Sequence, residues 1–379
     1  MEHSVLEQKA RSRAGHGVTT QRAGAIERLA CKPNVILGRS ARIQRKGVKV
    51  KRGIVAVLVG MLVVALALSA SAAELKIGIT KIVEHPALDA VEQGVIDALT
   101  AAGYERDVDV EYLLSCAQGD FTTAISIAQT FQSQGVDLVV AIATPSAQAA
   151  LEVFRETDVP IIYAAVTDPV GAGLVLSATD PSGNENVTGV SDMIPVAAQL
   201  ALLELISADI SRVGVVYNPG EANSVVLTDM ALAAAPDLGL EIITATADST
   251  ANVPLAAQSL IGRVDAYYVT TDNTVVSAID AVLAASEEAG VPFLVADPTS
   301  LDHATVAAGF DYYDVGLTAG RIALDVLSGT SPAEIPVTYV GESQIHLNLD
   351  AAERIGLTFE DELIQQAAAV LVGGVVFSR

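Results

Sequence analysis

Cysteine and lysine are the two residue types that this chain nearly does without. Its 379 residues include two cysteines, Cys31 and Cys116. Once an N-terminal leader is removed only Cys116 is left, which excludes a disulfide framework and a cysteine-based metal site. After residue 52 the only lysines are Lys76 and Lys81. Residues 1–52 hold 13 of the 22 Lys and Arg but 3 of the 45 Asp and Glu, leaving 9 basic and 42 acidic side chains in the body. So acidic a surface repels nucleic acid and anionic headgroups, and neither is an expected partner. The five histidines (His3, His16, His85, His303 and His346) are scattered without ligand spacing, so no metal site is expected. Also missing are a Gly-x-Ser-x-Gly elbow, a Walker loop and a His-Glu-x-x-His pair. The Gly171-x-Gly173 pair has no third glycine to make a dinucleotide fingerprint. No catalytic residue and no cofactor are expected.

What is present begins with an export pattern. Lys49, Lys51 and Arg52 precede fifteen uncharged residues, Ile54 to Leu68, followed by small residues from Ser69 to Ala73. A basic flank, a short apolar core and Ser71 and Ala73 at the −3 and −1 positions form a signal peptide cut after Ala73. Left uncut, the same segment is near the lower limit of a membrane anchor, and the sequence leaves both readings open. The stretch ahead of it is long for a signal's basic region, and Val48 fits as an alternative first codon.

The body repeats itself. Val136-Asp137 opens an apolar strand ending in a Thr-containing loop, and Val159-Pro160 opens a second strand that ends in Asp168-Pro169. Val264-Asp265, Val291-Pro292 and Asp297-Pro298 follow the same plan. A duplicated β-loop-α-β unit predicts an α/β protein of two Rossmann-like parallel-sheet lobes whose strand ends face across a cleft. Continuously apolar strands place helices on both faces of each sheet. We expect residues 1–73 to be leader and signal, and 74–190 with 311–341 to form lobe 1. Residues 191–310 with 342–379 form lobe 2 and a C-terminal extension. Three crossings, near 189–192, 309–311 and 341–344, make a hinge.

Ligands of such sheets bind beyond the strand ends, and the loops arriving there have only Lys81 as a nearby cation. A phosphate is therefore disfavoured. A single carboxylate can be held by helix N-termini at Thr144–Ser146 and Asn223–Ser224, with Asp168, Asp272 or Asp311 facing an ammonium. Each of these residues is equally readable as a turn or helix cap.

The strings KIVEHPALDAV, AIATPSAQAA, AAVTDPVGAGLV, NVTGVSDM, VGVVYNPGEANSVV, YVTTDNTVVSA and GFDYYDVG resemble substrate-binding proteins of ABC transporters of the tryptophan/tyrosine uptake type. The resemblance runs from about Lys76 to Leu357. It implies a type I periplasmic-binding-protein fold with a three-crossover hinge, and an exported, monomeric, periplasmic receptor that hands its ligand to a membrane permease. The implied ligand is a small zwitterion, an aromatic or other apolar amino acid. The implied contacts are Glu84, His85, Thr144, Ser146, Asp168, Asn223, Ser224, Asp272, Asn273, Asp311 and Tyr312. Two rivals stand beside it: a membrane-anchored sensor of the same fold, and a small-metabolite enzyme.

Overall fold

A computed structural model of the chain describes residues 75–183 and 186–379. The signal segment, its cleavage site and the alternative start lie outside the described residues. None of the described helices is long and apolar enough to cross a membrane.

Two sheets carry the structure. The first contains β1 (Leu75–Lys81), β2 (Val110–Cys116), β3 (Leu138–Ile142), β4 (Ile161–Ala164), β5 (Val187–Ser191) and the distant β11 (Thr338–Tyr339). Their order is β11-β5-β4-β3-β1-β2, every neighbouring pair parallel. The second contains β6 (Arg212–Tyr217), β7 (Glu241–Thr246), β8 (Ala266–Val269), β9 (Phe293–Val295) and β10 (Val306–Gly309) in the order β10-β9-β8-β6-β7. That order repeats β5-β4-β3-β1-β2, as a duplicated unit requires.

Alternate residues of one strand feed opposite faces, which explains why the strands read as unbroken apolar runs. Leu138, Val140 and Ile142 of β3 join helices α1 (Pro86–Ala101) and α9 (Tyr312–Leu327) in one core. Val139 and Ala141 join α2 (Phe121–Gln134) and α3 (Thr144–Phe154) in another. In the second body Val213 and Val215 pack on α4 (Val196–Ile206) and α5 (Ala222–Ala234). Val216 and Val269 pack on α6 (Val253–Gln258), α7 (Asn273–Val276) and α8 (Ile279–Ala289). Helices α1 and α9 touch backbone to backbone. A Cβ at Gly316 would lie 2.2 Å from Val91 O, and one at Gly94 would lie 2.4 Å from Tyr313 O, so only glycine fits either place.

The chain passes three times between the sheets: after β5 into α4, after β10 into α9, and from β11 to β12 (Gln344–Asn348). Residues beyond Leu357 are part of the second core rather than an appendage. After α10 (Leu349–Arg354) and α11 (Asp361–Gln366), β13 (Ala369–Val372) and β14 (Val375–Ser378) extend the sheet past β12. Phe359, Leu363 and Val370 are buried there. Helix α9 starts at Tyr312, where the Asp311 carboxylate accepts from Tyr313 N and caps it.

Candidate functional site

Strand ends from both sheets converge on a cavity with about 420 Å³ of empty space, its open mouth included. The first sheet's loops supply His85, Ala87, Leu88, Ala143, Thr144, Ala165 and Thr167. The second's supply Asn223, Thr271, Asn273, Val276 and Asp297, and two crossings supply Asp192 and Tyr312. The two bodies meet above it, where His85 Nε2 lies 3.4 Å from Ser300 Oγ and 3.8 Å from Asp297 Oδ2. His85 Nδ1 accepts from Ala87 N to cap α1, so the proton sits on Nε2. Burial pulls the His85 pKa down, although Asp297 and Asp89 oppose the shift.

Two carboxylates line the cavity and no lysine or arginine does. Asp192 accepts from Tyr312 Oη at 3.1 Å and Thr167 Oγ1 at 3.3 Å. Burial pushes its pKa up to about 6 despite those bonds. Burial, followed by the charges of Asp192 and Asp297, holds the Tyr312 phenol well above its ordinary value, so it remains a donor. Asp297 caps the short 3-10 helix Pro298–His303, accepting from Thr299 N and from the Thr299 and Ser300 hydroxyls.

The N-terminus of α3 has a character suited to the opposite charge. Its first turn carries Thr144 and Ser146, buried hydroxyls with no partner in the protein. Free backbone N–H groups there favour an anion. Ala143 enters this turn at φ 72° and Ala165 sits at φ 54°, two of four non-glycine residues with positive φ among the described residues. Strain of this kind costs about 1–3 kcal/mol and gathers at ligand clamps.

Behind the second wall lies a buried acidic network. Asp272 caps α7, accepting from Val275 N at 2.8 Å and Asn218 N at 2.6 Å, and from the Ser224 hydroxyl. Burial, and then the Glu221 carboxylate, push its pKa up to about 7. Glu221 accepts from the backbone and side chains of Asn273 and Thr274.

Of the residues expected from sequence, His85, Thr144, Asn223, Asn273 and Tyr312 line the cavity. Ser146, two residues along the same turn as Thr144, does not line it. The others are placed elsewhere. Glu84 is exposed and pairs with Lys81 at 2.9 Å. Asp168 closes a turn by accepting from Gly171 N. Asp311 is the exposed cap of α9. Ser224 and Asp272 hold each other behind the wall. Lys81, the one cation expected nearby, is buried under Glu84, Asp89 and Glu92, which outweigh the lowering by burial and raise its pKa. The sequence reading missed Asp192, Asp297, Thr167, Thr271 and Glu221. The duplicated Asp-Pro pair was the available signal: its second copy, Asp297, enters the cavity, while its first, Asp168, turns away. Asp192 offered only its place at a crossing.

A family model described as ABC transporter substrate binding protein matches residues 76–371, reaching beyond Leu357. A curated relative, the "Tyrosine-binding protein" of Clostridioides difficile, is 38% identical over 282 residues, covering 74% of this chain and 81% of its own. A Streptococcus pneumonia ABC domain solved in complex with L-Trp is 30% identical, with a TM-score of 0.75, covering 79% of this chain and 100% of that one. The ligand-free, open structure of a Clostridium difficile substrate-binding protein with adhesive properties is 34% identical. Its TM-score is 0.60, over 77% of this chain and 98% of that one. The more similar sequence is thus the less similar shape, and this chain, with His85 meeting Ser300 across the cleft, matches the ligand-bound form better.

Proposed function

Since this chain belongs to the family of ABC transporter substrate-binding proteins, we propose that it captures an aromatic L-amino acid outside the cytoplasm and delivers it to an ABC permease. The observation that carries the reading is a cavity with two buried carboxylates, no lining cation and, facing them, a helix N-terminus with unpartnered hydroxyls. That arrangement complements a zwitterion. Asp192, at the hinge, takes the ammonium by charge-assisted hydrogen bonds. The first turn of α3, with Thr144 and Ser146, takes the carboxylate. Leu88, Val276 and the Tyr312 ring enclose the apolar side chain. The tyrosine and tryptophan named for the two relatives support an aromatic side chain.

The protein binds without transforming its ligand. It is exported after cleavage at Ala73 and works as a monomer. Lobe closure, through the crossings at 189–192, 309–311 and 341–344, traps the ligand and presents a closed form to the permease. Calorimetric titration of the mature chain with L-tyrosine, L-tryptophan, L-phenylalanine, glucose and AMP tests this. One or more of the aromatic amino acids should bind and be recovered unchanged. Binding of the sugar or nucleotide alone would overturn the assignment.

A further inference from the structure

The second wall of the cavity has a fixed polarity whose source lies behind it. Glu221, immediately before α5, is buried and does not line the cavity. Its carboxylate accepts from Asn273 Nδ2 at 2.6 Å and Asn223 Nδ2 at 3.4 Å, besides the Asn273 and Thr274 amides and the Thr274 hydroxyl. Asn223 Nδ2 also donates to Thr271 O at 2.8 Å. A carboxylate and a carbonyl oxygen can only accept, so both side-chain NH2 groups must face backwards; a flipped amide would set oxygen against oxygen. Asn223 Oδ1 is therefore turned away from Glu221. It is buried, its residue lines the cavity, and it has no partner among the described residues.

We propose that Glu221, together with the Thr271 carbonyl, is a positioning residue that makes this wall a hydrogen-bond acceptor, so that the site selects ligands carrying an N–H or O–H donor opposite Asn223. This rests on the amino-acid reading above. A buried acceptor left unpaired is penalised, and a ligand lacking the donor incurs that penalty. A carboxylate is excluded from the same wall because it has only acceptors to offer, which directs it to α3. The donor has two possible sources, the α-ammonium or a ring group such as a phenol hydroxyl.

Two variants separate these. Glu221→Gln keeps the size but sets an NH2 among donors, removing one of the two acceptors that hold the Asn223 amide and leaving only Thr271 O. Asn223→Leu keeps the approximate shape and deletes the oxygen. Wild type and both variants are titrated with L-tyrosine, L-phenylalanine and 3-(4-hydroxyphenyl)propanoate. Each variant should bind L-tyrosine at least about tenfold more weakly. Its preference over one analogue should collapse toward unity: over phenylalanine if the phenol is the donor, over the propanoate if the ammonium is. Discrimination as large as wild type's against both analogues overturns the inference while leaving the amino-acid reading intact. A wild-type protein that binds none of the three overturns the inference, and one that also fails to bind L-tryptophan overturns the amino-acid reading. Should Glu221→Gln lose its cooperative thermal transition, Asn223→Leu decides alone.

Discussion

Replacing Asp272 with asparagine isolates what a buried carboxylate does when it faces no ligand. Sequence reading offered Asp272, beside Asp168 and Asp311, as a partner for an ammonium; in the structure it accepts from Val275 N, Asn218 N and the Ser224 hydroxyl. Asparagine is a good N-cap and can still accept from Val275 N. Its NH2 can donate to Ser224 Oγ, which then reverses its role. Nothing remains for Asn218 N, which would face a second donor at about the present separation. One buried N–H orphaned costs roughly 1–3 kcal/mol. The protonated form of Asp272 keeps all three bonds, with its own proton given to Ser224. Its folded pKa of about 7 lies above the ordinary aspartate value of 3.8, so protonation favours the fold. That stability is fully present below about 3.8 and is lost as pH rises through about 7. Asparagine has no such slope. Urea unfolding of ligand-free protein should therefore show Asp272→Asn weaker than wild type at pH 5, with the gap narrowing through pH 8. A variant as stable as wild type at pH 5 would refute the hydrogen-bond argument. A gap constant with pH would refute the raised pKa.

Asp192→Asn should abolish L-tyrosine binding while leaving a cooperative melt. Wild-type affinity should fall by about tenfold per unit below pH 6, as protons compete for the buried carboxylate; calorimetry across pH 4.5–7.5 reads both. Gly316→Ala forces a methyl against Val91 O and should destabilise the α1–α9 contact by about 1–3 kcal/mol in urea, with unchanged ligand selectivity. Saturating ligand should reduce the radius of gyration in small-angle scattering, and an unchanged profile would argue for a rigid pocket.

The duplicated Val-Asp to Asp-Pro units are local pattern, and they were enough to read two α/β halves from the chain itself. Alternation within β3 and the glycine and proline stops likewise follow from residues a few positions apart. Cap chemistry is local too, but its consequence is not. Asp168, Asp272, Asp297 and Asp311 all stand at strand ends as Asx-type residues, and nothing in the sequence distinguishes the one that enters the cavity. Asp168 folds back onto Gly171 N, Asp272 is enclosed by Asn218 and Ser224, and Asp311 faces solvent. Asp297 alone among them is turned to the cleft, and Asp192 joins it only because β5 and α9 bring Tyr312 alongside. Which carboxylate remains available to a ligand depends on which donors the fold brings to each. For Asp168 and Asp311 those donors are local, but for Asp272 and Asp192 they include residues 25 to 120 positions away, so the sequence by itself settled the two halves and their caps, and tertiary packing decided which carboxylates the site keeps.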